Sequence, residues 1–167
     1  MIDQGLLLAR LVLGLLMAAH GCQKLFGWFG GYGLTGTGGY FEGLGFRPGR
    51  LFAAVAAVSE IISGLLVALG LFGPIGPALM VSLMIVAAVS VHWKGGLFAM
   101  SNGIELPLLY ATGAFALALT GPGRISLDNV LGLNALSTPL ITWIALVVGI
   151  AGGFANLALR RPAVAAA

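Results

Sequence analysis

His20, Gln23 and Lys24 stand at i, i+3 and i+4, so on a helix they share one face. They close an apolar run and open a glycine- and aromatic-rich stretch, Ala19 to Gly31. An imidazole, an amide and an ammonium at the end of such a segment are costly unless something polar meets them. Glu60, His92 and Glu105 are set in equally apolar surroundings. Lys24 or protonated His20 with Glu60, and His92 with Glu105, are the natural pairs. Beside an apolar pocket, imidazole and carboxylate can exchange protons with a small redox molecule such as a quinone. His20, His92, Glu60 and Glu105 are also metal-ligand types, but no closely spaced pair marks a metal site and none is expected. Two histidines on separate helices could ligate a haem, a reading that nothing else in the sequence supports. The bland alternative is a polar network that only fixes helix register. Cys22, the single cysteine, excludes an intrachain disulfide and reads as an inert small residue.

These residues need elements to position them, and composition names the kind. Of 167 residues, 59% are hydrophobic and 8% charged, with a mean hydropathy of +1.06. A water-soluble domain carries roughly 25% charged residues. A chain this poor in them cannot cover its surface for water, so its main solvent is lipid. The net charge of +3 comes from eight scattered basic residues that form no cluster, which leaves nucleic-acid binding without support.

Five apolar segments follow in order, at about 6–26, 51–72, 75–92, 104–120 and 140–159. Each approaches the roughly 17–25 residues that a membrane helix needs. Arg10 and the lack of a basic head argue against a cleaved signal peptide at the first. The turn Gly73-Pro74-Ile75-Gly76-Pro77 predicts an antiparallel hairpin of the second and third spans. Pro107 suits the first turn of the fourth, and Arg160-Arg161-Pro162 closes the fifth. Small residues at Gly14/Ala18, Gly64/Ala68 and Gly149/Gly153 would let helices approach closely. Residues 27–50, with Trp28, Phe29, Tyr32 and Tyr40, predict a re-entrant or interfacial loop. A short helix over 37–44 fits there, weakened by Gly38 and Gly39. Ser126 could cap another after the fourth span.

Tracing the direction of each span puts His20, Glu60, His92 and Glu105 in one half of the bundle, the half that carries the 27–50 loop (side B). At 1.5 Å per residue, His20 lies roughly 9 Å and Glu60 about 13 Å from the side-B end. Arg10 stands apart, close enough to the other face (side A) for its stem to snorkel. Lys24, Arg47, Arg50, Lys94, Arg160 and Arg161 belong to side B, against Arg10 and Arg124 on side A. The positive-inside rule therefore predicts a cytoplasmic side B.

The run His20-Gly-Cys-Gln-Lys-Leu-Phe-Gly-Trp-Phe-Gly-Gly resembles the opening signature of the DoxX family of small multi-pass bacterial membrane proteins. The likeness continues through Gly33-Leu-Thr-Gly-Thr37, Leu44-Gly-Phe-Arg-Pro-Gly49, Glu60 with Gly64-Leu-Leu66, Val91-His92, Glu105-Leu-Pro-Leu-Leu109 and Gly121-Pro-Gly-Arg-Ile-Ser-Leu-Asp128. It implies an all-α integral membrane helical bundle with a DoxX-like four-helix core, in the bacterial plasma membrane. It also implies a loose association with redox systems, since namesakes of the family resemble subunits of a thiosulfate:quinone oxidoreductase. The expectation is thus an accessory subunit of a quinone-linked complex. His20, Gln23, Lys24, Glu60, His92 and Glu105 are its candidate binding residues, and quinone is the candidate cofactor. The alternative is a non-catalytic assembly subunit. A transporter is a weaker third, because no repeat symmetry is visible. The fifth span exceeds the four-helix pattern, and its Gly149/Gly153 face predicts docking to another membrane subunit or a second copy.

Overall fold

The computed structural model describes residues 1–161, and it is helical with no strand among them. Helix α1 (Ile2–Phe26) carries Asp3 in its first turn and stops at Gly27, whose φ of 76° is left-handed. The short helix α2 (Gly33–Gly43) leads through a loop into α3 (Gly49–Leu69). Helix α4 begins at Ile75–Ala87, passes through a π-helical turn at Ala88–His92 and ends in a 3₁₀ turn at Trp93–Gly95. After a loop come α5 (Glu105–Thr120), the single turn α6 (Leu127–Val130) and α7 (Pro139–Ala158). Pro162, expected to close the last helix, lies outside the described residues.

Among the described residues four helices are long and apolar enough to cross a membrane: α1, α3, the 75–95 helix and α7. Helix α5 is apolar but has only 16 residues. Their outward faces are apolar rather than charged, with Leu8, Leu15, Val58, Leu65, Val147 and Val148 all exposed. In water this surface would aggregate; in hydrocarbon it is the solvated one.

Small residues set the packing. Helices α1 and α3 are antiparallel along a glycine seam, where a Cβ on Gly14 would fall 2.5 Å from the Gly64 carbonyl oxygen and 2.6 Å from the Ala68 nitrogen. Gly21 meets the Ala57 carbonyl in the same way. In lipid, where apolar burial alone does not draw helices together, such close approach is a principal source of cohesion. The Gly149/Gly153 stripe differs from its expected use. It packs on α4 of the same chain, Gly149 against the Ala78 backbone and Gly153 against Ser82 and Ile85, so it is not free to dock a partner. Met17, Met80, Met84, Leu117 and Leu146 fill the core between these seams.

Two local outcomes follow from packing. Helix α2 forms over Gly33–Gly43 although it contains Gly38 and Gly39, because Gly38 lies against the backbone of Arg50 at the start of α3. A side chain there would push α2 off the bundle. Ser126 caps α6 as expected, its Oγ accepting the Asn129 N–H at 3.3 Å.

Arg10 does not snorkel. It is 2% exposed and donates to the carbonyls of Ile125 and Ala68. The 121–133 segment folds over it, anchored by Asp128, whose two carboxylate oxygens accept the N–H groups of Phe72 and Gly73 at 2.8 and 2.6 Å. The side-A end of the molecule is therefore a closed polar knot and not a lipid-facing cation.

Candidate functional site

The candidate site lies at the other end. Helix α1 brings Lys24 against α3, and its ammonium pairs with Glu60 Oε1. Glu60 is 5% exposed, and its second oxygen, Oε2, has no hydrogen-bond partner among the described residues. A buried carboxylate oxygen left without a donor costs on the order of 1–3 kcal/mol. Next to the pair is a cavity of about 820 Å³, bounded by α1, α3, α4 and α7 and roofed by α2. Phe41, Phe46, Phe52, Leu79, Leu83 and Val86 make its apolar walls. Gln23, Ser59, Ser82, Ser90, His92 and Asn156 add polar atoms.

Local sequence explains the roof. Thr37 is buried and its hydroxyl reaches the Lys24 carbonyl at 3.5 Å, while Glu42 Oε1 accepts the Gly49 N–H at 3.2 Å. Helix α2 is thereby tied to both α1 and α3. At the far edge the end of α7 holds the loop: the Arg161 N–H donates to the Gly45 carbonyl at 2.8 Å, and Arg160 Nε to the Leu44 carbonyl at 2.9 Å.

Of the six residues expected from sequence, Gln23, Lys24, Glu60 and His92 line this cavity, whereas His20 and Glu105 do not. His20 is exposed; its Nδ1 lies 3.2 Å from Gln23 Oε1 and its ring meets Tyr110 edge-on at 6.1 Å. Glu60 takes Lys24 as its partner, not His20. The expected His92–Glu105 pair is not formed. His92 Nδ1 lies 3.0 Å from the Asn102 carbonyl, and Glu105 Oε2 accepts the Ala99 N–H at 2.7 Å. Both residues organise the 93–105 loop, whose tight turns offer backbone partners that a straight span would not.

Gln23 is held from two directions, since its Nε2 also donates to the Phe29 carbonyl at 3.1 Å. Among the described residues no three His, Cys, Asp or Glu side chains are grouped to hold a metal ion. Sequence reading missed Ser59, Ser82, Ser90 and Asn156. Their signal was a hydroxyl or amide inside an apolar span, weak because Ser and Asn also serve helix packing.

Inside-out polarity, membrane-length helices and a buried ion pair beside a cavity define a multi-pass α-helical membrane protein. The DoxX family model matches residues 5–93, more than half of the chain, and the protein belongs to the DoxX family. It is 29% identical over 136 residues to the uncharacterized membrane protein Rv3486 of Mycobacterium tuberculosis (strain ATCC 25618 / H37Rv), covering 75% of this chain and 80% of that one. No solved structure matches. The matched span of the family contains every cavity residue except Gly152 and Asn156, both on α7.

Proposed function

We propose that the cavity binds a small amphiphile of the quinone class, and that the chain acts as an accessory subunit of a redox complex in the bacterial plasma membrane. The observation that carries this reading is Glu60: a buried carboxylate oxygen without a donor, beside an ammonium, at the wall of a largely apolar cavity. A hydroquinone hydroxyl would supply the missing donor to Oε2. A quinone carbonyl would accept from Lys24, and the ring would lie among Phe41, Phe46 and Phe52. Lys24 and Glu60 could also pass protons to and from the head as its redox state changes.

The test is direct binding of a methyl-substituted benzoquinone and its hydroquinone to the full chain in lipid nanodiscs, with empty nanodiscs subtracted. Wild type is expected to bind. Glu60→Gln is expected to weaken the hydroquinone by about tenfold, the equivalent of roughly 1.4 kcal/mol for one charge-assisted hydrogen bond. Equal affinity in both proteins, or none in wild type, defeats the proposal. Gentle purification from the native membrane should also bring redox subunits along.

A second reading has its own support, because the same ion pair ties α1 to α3. If it is only a structural lock, Glu60→Gln lowers thermal stability and the double variant Lys24→Met, Glu60→Met restores it, with no quinone binding in any form.

A further inference from the structure

The shape of the cavity adds a route and a second wall. Helices α3 and α7 both pack on α4, yet scarcely touch each other. At side A, α3 and α4 are locked together by the turn, where Ser63 Oγ donates to the Gly76 carbonyl at 2.9 Å. Toward side B the α4 face between its two neighbours, Leu79, Ser82, Leu83 and Val86, is half-buried and lines the cavity instead. The flanks of that cleft are Val55 on α3 and Gly152 on α7, both exposed. Above it the Arg160 and Arg161 contacts to Leu44 and Gly45 close the loop over the end of α7. The roof is thus tied down while the side is open between Val55 and Gly152, within the apolar stretches of α3 and α7.

We infer that the ligand reaches the cavity sideways from the bilayer and that its apolar tail lies in the cleft between α3 and α7, so that the last helix sets tail selectivity. This inference rests on the quinone-class reading of the head site. An amphiphile dissolved in the leaflet already has its tail at this depth, and it need not pass the roof. Gly152 suits a tail wall: a Cβ there would meet only Ser82 Oγ, at 3.6 Å, so bare backbone leaves the cleft wide without being required by packing. The head is held by α1 and α3, inside the part of the chain that the family model matches, whereas one of the two flanks of the tail cleft, α7, lies outside it.

The experiment compares two benzoquinones that differ only in one substituent, decyl or methyl, by equilibrium dialysis against the full chain in nanodiscs. Gly152→Phe is expected to weaken the decyl probe about tenfold more than the methyl probe, the loss of roughly two buried methylenes. Val55→Phe, from the opposite flank, should show the same asymmetry, and this variant guards against a folding defect peculiar to α7. Equal effects on the two probes, or no effect on either, overturn the lateral site while leaving the head site standing. If wild type binds neither probe, the quinone reading itself fails and this inference falls with it.

Discussion

Two buried charges do opposite jobs in this molecule. Asp128 is fully buried, and both its oxygens accept backbone N–H groups of the α3–α4 turn. Glu60 is nearly as buried, yet only one oxygen is engaged. A carboxylate that is completely satisfied belongs to architecture; one that is half satisfied beside a cavity is available for a ligand. Asp128→Asn should therefore lower the thermal unfolding temperature in nanodiscs, since one N–H then loses its acceptor at a cost of about 1–3 kcal/mol. Quinone binding by the protein that remains folded should be unaltered; a loss of binding at unchanged stability would contradict this division. The sequence carried Glu60 and Lys24 plainly, as lone charges in apolar runs. It could not show that His20 would be exposed beside Tyr110 while Lys24 took the carboxylate, because the two lie on nearly the same face. Arg10 looked like a cation near a membrane surface, and only the folding-back of 121–133 shows why it is buried.

At the scale of elements, glycine has several distinct uses. Where a Cβ would strike backbone, as at Gly14, the helix pair depends on the missing side chain. Gly39, in α2, has nothing within 4 Å of that position. Gly14→Val should separate α1 from α3, with a marked fall in the unfolding temperature, whereas Gly39→Ala should leave it the same or raise it slightly through helix propensity. Comparable losses in both variants would argue against a seam held by close approach. Spacing of small residues marked the faces of α1 and α3 that come close, but not that these two helices meet each other. The same signal at Gly149 and Gly153 pointed to a partner subunit, because a one-dimensional pattern shows that a face is smooth but not whose helix meets it. The α2 helix was legible only in outline: its intrinsic propensity is poor, and it is held by contacts with α1 and α3, among them Gly38 against Arg50, twelve positions away.

For the whole molecule, charge is unevenly spread between the two ends. Arg47, Arg50, Lys94, Arg160 and Arg161 belong to the end with the α2 roof, whereas at the other end Arg10 is buried and Arg124 lies beside Asp3. The positive-inside rule predicts a cytoplasmic roof, which accessibility labelling can test. In intact cells carrying a Cys22→Ser background, Arg124→Cys should react with a membrane-impermeant maleimide and Arg47→Cys only after lysis. The reverse pattern would put the roof outside. Helix ends were readable to within a few residues because hydropathy and turn residues coincide; what the loops do with their polar groups was not, since that depends on contacts between segments far apart in the chain.

Helices α4 and α7 run in the same direction, Gly149 beside Ala78 and Gly153 beside Ser82. During synthesis, therefore, a ribosome must finish α5 and the α6 segment before the neighbour of α4 can be inserted. Until that moment the α4 surface that Gly149 and Gly153 cover is without its partner, and the proposed head site would lack its second wall. On the lateral-site proposal, selection of a tail would thus be a late event of biogenesis, and a chain stalled before Gly149 would be an inserted but unselective precursor.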